Sequence, residues 1–289
     1  MPTVPIIDAH VHLWDPNRFR MVWLDGNQTL ERPYTVTDYR THTADVGVEG
    51  LVYVQVDVEP AYGLLEAEWI AGVARQEPLV QGIVAWAPLE YGERVRSFLS
   101  ALRELGASIK GVRRLIQSEA DPTFCLRPDF VTGVQLLPEY GFSFDICIVH
   151  SQLASTVELV RRCPRTSFVL DHVAKPGIRA GLLDPWREHI RQLADLPNVS
   201  CKISGMVTEA DFQNWMGADL APYVEHVWHC FGEDRVMFGS DWPVVLQAAS
   251  YRRWVDTLDT LLADKSPTAL QKFWAGNARR FYRLQQEGI

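Results

Sequence analysis

Eight short apolar runs rich in β-branched residues recur along the chain, most of them followed by a stretch of helical periodicity, and this alternation constrains the fold more than any other feature. The runs occupy 5–12, 50–56, 80–86, 109–115, 142–149, 167–172, 199–204 and 236–241. Amphipathic stretches at 63–76, 92–105, 152–162, 186–196 and 251–262 are each long enough to cross back over a sheet. Eight such units within 289 residues predict an α/β fold, a (β/α)8 barrel of the TIM type, with 1–289 as one domain and the site at the C-terminal ends of the strands. The competing open doubly wound sheet lacks its signatures: no G-x-G-x-x-G follows the first run and no G-x-x-x-x-G-K-[ST] occurs. The irregular segment 14–37, with Pro16, Gly26 and Pro33, reads as a loop over the barrel mouth.

Charge narrows the partner. The formal net charge is −8 and no block of five or six like charges occurs, so nucleic acid has no electrostatic footprint and a small molecule is the expected ligand. No segment approaches the ~20 apolar residues of a membrane span, and the first residues carry no basic, apolar leader, so the expected location is cytoplasmic. The five cysteines are odd in number and never spaced C-x-x-C, which argues for buried thiols over a disulfide framework or zinc ribbon. Nothing in the sequence bears on oligomeric state.

Titratable residues cluster where strands end. His10 and His12 close the first run two residues apart, so their imidazoles share one side, and at a C-terminal strand end that side can be the barrel mouth. Asp241 closes the eighth run, whose barrel neighbour is the first, and His172 and His150 follow the sixth and fifth. Each alone is explained by a cap or loop hydrogen bond, but several converging on one face point to catalysis. His42, His189, His226 and His229 lie away from strand ends and read as structural.

The segments Ile7-Asp8-Ala9-His10-Val11-His12-Leu13-Trp14-Asp15, Asp171-His172 and Gly239-Ser240-Asp241-Trp242-Pro243 together resemble the amidohydrolase superfamily. The likeness runs to the terminal Gly276–Tyr282 segment and is to the amidohydrolase-2 type, in the branch of sugar lactonases such as L-fuconolactonase and L-rhamnonolactonase and of pyrone dicarboxylate lactonases. The resemblance implies that His10, His12, His172 and Asp241 form the catalytic or metal-ligating set. Binuclear members carry a carboxylated Lys or a Glu at the end of the fourth strand, whereas here Lys110 starts it and Arg113, Arg114 and Gln117 follow, which argues against two metals. One divalent ion, zinc, held by His10, His12 and Asp241, with His150 or His172 in reach, suits zinc's preference for three protein ligands plus water. The branch does not strictly require it.

The expected reaction is hydrolysis of a sugar aldonolactone, L-fuconolactone-like, by water that Asp241 activates as general base while the histidines or a metal polarise the carbonyl. Substrate contacts are expected from Trp23 and Trp242 by stacking on sugar C–H faces, from Arg113, Lys175 and Lys202, and from His150. Arg113 and Arg114 are adjacent, so only one faces inward. A dicarboxylate calls for several convergent arginines, and one alone can be placed, which favours a neutral polyhydroxy lactone. The alternatives are a lactonase for a pyrone or muconolactone-type carboxylated lactone and a metal-dependent nonoxidative decarboxylase, the latter disfavoured by Asp8-Ala9 where those enzymes carry Glu before the histidines. A catalytically silent binding barrel is the reading from a different class.

Overall fold

In the computed structural model, which describes residues 2–284, eight parallel strands follow one another in sequence order around a single sheet. They are β1 (Ile6–Val11), β2 (Val48–Val54), β3 (Val80–Ala85), β4 (Ile109–Val112), β5 (Ser143–Ile146), β6 (Phe168–Leu170), β7 (Val199–Ile203) and β8 (Val236–Phe238). The crossover helices are α1 (Val36–His42), α2 (Gly63–Gln76), α3 (Arg96–Glu104), α4 (Pro128–Leu136), α5 (Leu153–Arg162), α6 (Trp186–Ala194), α7 (Gly217–Phe231) and α8 (Tyr251–Leu261), followed by α9 (Pro267–Gln271) and α10 (Asn277–Tyr282). Every expected strand run overlaps a strand, β2 starting two residues early at Val48, because parallel strands buried on both faces are predominantly apolar. The expected helix at 92–105 starts later, at Arg96, because Gly92 adopts φ 57 and Asp129 Oδ1 would lie 2.9 Å from any Cβ there. No helix among the described residues is long and apolar enough to cross a membrane.

The seam between β8 and β1 closes by a different device from the other seven. No regular ladder joins these strands; instead Asp241 N donates to His10 O at 2.9 Å and His12 N to Trp242 O at 2.7 Å, so the loop beyond β8 completes the barrel. β1 itself carries a bulge, since Asp8 pairs with Leu51 and Val11 with Tyr53, three steps against two. Ile7 and Ala9 lie in the barrel interior, where they meet Val52, Val54 and Met237, while Asp8 faces the outer helices. Strict alternation would turn His10 and His12 outward with Asp8. The extra residue turns both inward.

The N-terminal floor of the barrel is an apolar plug in which Ala275, Ala278, Tyr282 and Leu284 pack under Ile7, Ala9, Val52, Val54, Val84, Val169 and Met237. At the mouth, segment 14–37 is the expected loop, pinned at its base by reciprocal Trp14–Tyr34 backbone bonds of 3.0 and 2.8 Å. The β2–α2 connection is pinned by Glu66 of α2, which is buried and accepts from Tyr53 OH at 2.6 Å and Val56 N at 2.8 Å.

Burial pushes the Glu66 carboxyl up to about 7 from an ordinary 4.5, its two hydrogen bonds offsetting only part of the penalty. The folded chain therefore holds a proton that the unfolded chain releases, and the stability linked to this group falls as pH rises from about 5 to 7. Glu66→Gln retains the accepting oxygen and cannot ionise. Thermal melting of both proteins should show the variant gaining on the parent between pH 5 and pH 8; an offset independent of pH would refute the assignment.

Candidate active site

Three imidazoles and one carboxylate meet at the C-terminal end of the barrel. Asp241 Oδ1 lies 3.3 Å from His12 Nε2, 3.7 Å from His10 Nε2 and 3.9 Å from His172 Nε2, and the Nε2 atoms of His10 and His12 are 3.2 Å apart. The opposite nitrogens are anchored in the scaffold. His12 Nδ1 donates to Val54 O at 2.7 Å, which leaves Nε2 with its lone pair toward Asp241. Ser204 Oγ meets His172 Nδ1 at 2.9 Å, and His10 Nδ1 lies 3.2 Å from Lys202 Nζ and 3.3 Å from Asp171 Oδ1.

Burial dominates the protonation states. It lowers the pKa of His10 and His12 and takes His172 down to about 4, despite nearby Asp241 and Asp171. Burial alone would raise Asp241, but His172, His12 and His10 outweigh it and hold the carboxyl well below the usual carboxylate range. At neutral pH the site thus presents one carboxylate among uncharged imidazoles.

The loops that deliver these groups are strained. Residues 172–175 all have left-handed backbone, with φ of 52, 47, 63 and 47°, and Asp241 has φ 60. Such a conformation costs on the order of 1–3 kcal/mol per residue, most for β-branched Val173. One local and two tertiary bonds hold the turn: Lys175 N donates to His172 O at 2.8 Å, Trp186 Nε1 to Val173 O at 2.8 Å, and His150 Nδ1 to Lys175 O at 2.9 Å. The turn aims His172 and Lys175 into a cavity of about 320 Å³.

The cavity is lined by His12, His172, Asp241, Arg113, Lys175 and Trp23 among the residues expected from sequence. Of the adjacent arginines it is Arg113 that faces in, donating to Gln55 O at 2.5 Å and Asp171 Oδ2 at 3.2 Å, whereas Arg114 turns out to Glu90 and Glu119. Three expected substrate contacts need correction. Lys202 is fully buried in the barrel interior, 2.6 Å from Asp145 and 3.0 Å from Asp171, because an ammonium removed from water must be paired. His150 is spent on Lys175 O outside the lining. Trp242 is fully buried behind the closing seam, edge-on to Tyr34 and Tyr39. His10 also lies beneath the lining, touching it through His12 and Asp241.

Sequence reasoning missed Asn27, Asp57, Gln117, Cys147 and Gln247 on the cavity wall. Asp57, Gln117 and Cys147 follow strands β2, β4 and β5 closely, so strand-end position was the available signal; Asn27 and Gln247 carried none. Gly205 was also missed. It has φ 59, and a Cβ there would lie 2.4 Å from His172 Nδ1 and 3.1 Å from Asp241 Oδ2.

A tetrahedral ion with ligands at ~2.0–2.1 Å places them about 3.4 Å apart. The His10–His12–Asp241 edges of 3.2, 3.3 and 3.7 Å fit that spacing. A second candidate group, His10 with Asp171 and His172, fits poorly because Asp171 is engaged by Arg113 and Lys202. The donor set suits one ion.

Gly205→Ala should cost more stability than Gly141→Ala, where φ is 76 but no atom lies within 4 Å. The control reports only left-handed strain, about 1–2 kcal/mol, and the collision with His172 adds ~1–3 kcal/mol. Denaturant melting of both variants checks this; equal losses would mean that the turn around His172 yields freely.

Comparison with known proteins agrees with this geometry. The sequence profile of the amidohydrolase family matches residues 7–284. An L-fucono-1,5-lactonase of Burkholderia multivorans is 31% identical, the match covering 97% of this chain and 96% of that one. An L-rhamnono-gamma-lactonase of Scheffersomyces stipitis is 23% identical over 98% of this chain and all of its own. Among solved structures, an amidohydrolase from Burkholderia multivorans with bound zinc superposes with a TM-score of 0.89 at 28% identity, covering 98% of this chain and 100% of that one. With the family profile spanning the whole barrel and the strand-end histidines and Asp241 in place, the chain belongs to the amidohydrolase family.

Proposed function

We propose that this protein hydrolyses a sugar aldonolactone, L-fuconolactone-like, to the corresponding aldonic acid. The observation that carries the reading is the Asp241 carboxylate, 3.3 to 3.9 Å from the imidazoles of His12, His10 and His172, beneath a cavity whose wall bears the amides of Asn27, Gln117 and Gln247. The lactonase names of relatives that match over their full length support the same substrate class.

Water beside Asp241 attacks the lactone carbonyl carbon while the carboxylate accepts its proton. His172, uncharged above about pH 4, faces the oxygen on which negative charge develops. Collapse of the tetrahedral intermediate breaks the bond to the ring oxygen, and Asp241 returns the proton to that oxygen as it becomes an alcohol. The Val54 carbonyl and Ser204 hydroxyl keep the imidazoles oriented throughout. His10, His12 and Asp241 would hold a single zinc ion, which when bound supplies Lewis acidity toward the carbonyl.

A dicarboxylated lactone suits the wall less well. Among the lining residues Arg113 and Lys175 are the fixed cations, and Arg113 is already committed to Asp171 and the Gln55 carbonyl.

Acid release from L-fuconolactone, followed with a pH indicator, should be catalysed by the parent. Asp241→Asn should lower kcat by about 10²–10⁴-fold with little change in melting temperature, and near-parental turnover in that variant would exclude Asp241 as the base. Zinc titration of chelator-treated protein should saturate at one equivalent per chain and weaken at least about tenfold in His12→Asn. Saturation at two equivalents would contradict the single-ion donor set.

A further inference from the structure

Asp57 differs from Asp241, the other carboxylate on the cavity wall. It lines the cavity on the connection after β2, its side chain is open to the cavity mouth, and no hydrogen bond or ion pair within the protein meets its carboxylate among the described residues. The two nearby arginines are engaged elsewhere, Arg113 with Asp171 and Gln55 O, Arg114 with Glu90 and Glu119. An acid without a partner on an ordinary surface loop would need no explanation. This one sits on a segment held by hydrogen bonds at successive positions.

Gln55 N donates to Val84 O at 2.9 Å, and Gln55 O accepts from Arg113 at 2.5 Å. Val56 N donates to buried Glu66 at 2.8 Å, and Val56 O accepts from the Trp23 indole at 2.8 Å. Asp57 N donates to the Gln55 side chain at 2.6 Å, and the Asp57 backbone is left-handed, with φ 57. The scaffold thus spends a buried carboxylate, a buried glutamine, an arginine and an indole on holding one strained residue at the cavity wall. Strain maintained in this way marks a side chain whose direction matters.

We propose that Asp57 is a specificity-determining residue that accepts hydrogen bonds from two neighbouring hydroxyls of the substrate ring and, by its charge, rejects lactones bearing a carboxylate. An ionised carboxylate offers acceptors only, in two oxygens set to meet a vicinal diol, and it repels an anion entering the same space. The neighbouring amides complement it with donors. Gln117 Oε1 receives Cys147 Sγ, which leaves its amide nitrogen as the donor, while Asn27 spends Oδ1 on Thr29 N and Leu30 N and one amide hydrogen on Gln247 Oε1 at 3.0 Å, which leaves the other. Trp23, whose indole N–H is spent on Val56 O, contributes an apolar face beside Asp57. Partial burial also raises the Asp57 carboxyl above its ordinary value, in keeping with a site that sheds water.

This inference rests on the lactonase reading and deepens it to a substrate class: a ring with adjacent free hydroxyls and no charge. The test compares the parent, Asp57→Ala and Asp57→Asn on L-fuconolactone, on δ-valerolactone, which lacks hydroxyls, and on 2-pyrone-4,6-dicarboxylate. Asp57→Ala should raise KM for L-fuconolactone about 10–100-fold with kcat within a few-fold, and leave kcat/KM for δ-valerolactone unchanged. Asp57→Asn should retain part of the hydroxyl recognition and gain at least about tenfold on the dicarboxylate relative to the parent. Equal losses on hydroxylated and unsubstituted lactones, or no loss on either, would overturn the proposal.

A binding measurement separates this inference from the activity. L-fucose, which carries ring hydroxyls but no ester, should quench or shift tryptophan fluorescence through Trp23 in the parent, and Asp57→Ala should weaken that binding about tenfold or more. If no lactone is turned over yet L-fucose binding depends on Asp57, the hydrolytic reading falls and the hydroxyl-reading role stands. If L-fucose binding is the same in both proteins, the role of Asp57 falls whatever the activity.

Discussion

The four hydrogen bonds of one buried carboxylate, Asp8, organise the site. Its Oδ1 accepts from His10 N at 3.2 Å and Ser240 N at 2.8 Å, and its Oδ2 from Tyr39 OH at 3.0 Å and Tyr251 OH at 3.1 Å. These bonds tie together the bulge in β1, the turn after β8 and helices α1 and α8. The bulge decides that His10 and His12 enter the barrel, and the turn decides that Asp241 meets them. A side chain outside the strand-end cluster therefore fixes the relative placement of three members of it. Losing an acceptor here would strand buried donors, at about 1–3 kcal/mol each.

Below the cluster the barrel interior is ionic before it becomes apolar. Lys202, Asp145, Asp171 and Arg113 form a paired network under His10, and Tyr282 of α10 donates to Asp145 at 2.6 Å. Such pairs return little net stability, because desolvation consumes most of the Coulombic gain. Their value here is orientation: against the effect of burial, Lys202 and His10 hold Asp171 well below the usual carboxylate range, so a fixed anion and a fixed cation flank the His10 ring. The strained turn at 172–175 follows the same economy of placement over stability, with Trp186 and His150 holding what the local sequence would not adopt alone.

These arrangements divide the mouth into a floor of imidazoles and one carboxylate and a wall of amides and an indole. The floor carries one ionised carboxylate and uncharged imidazoles, suited to activating water against a labile ester. The wall carries amides, the Asp57 carboxylate and an indole face, supplied by the loops after β1, β2, β4 and β8. Under the proposed function, reaction type and substrate choice reside on different segments, as is general for barrels whose loops vary over a fixed strand framework.

Sequence pattern alone specifies the barrel and picks out the strand-end residues that gather at its mouth. Eight apolar runs buried on both faces have few other solutions, and His10, His12, His172 and Asp241 announce themselves by standing where apolar strands end. Which way side chains point was decided only by the tertiary structure. Alternation along β1 cannot reveal a bulge whose cause, Asp8 bonded to Tyr39 and Tyr251, spans 31 and 243 residues of sequence. Neither can it show that Lys202 sinks to pair with Asp145 and Asp171, that Trp242 packs behind the seam, or that Gln55 and Glu66 hold Asp57 at the wall. Local pattern reports burial and element type. The direction of a polar group is set by partners that become neighbours only after the chain has closed on itself.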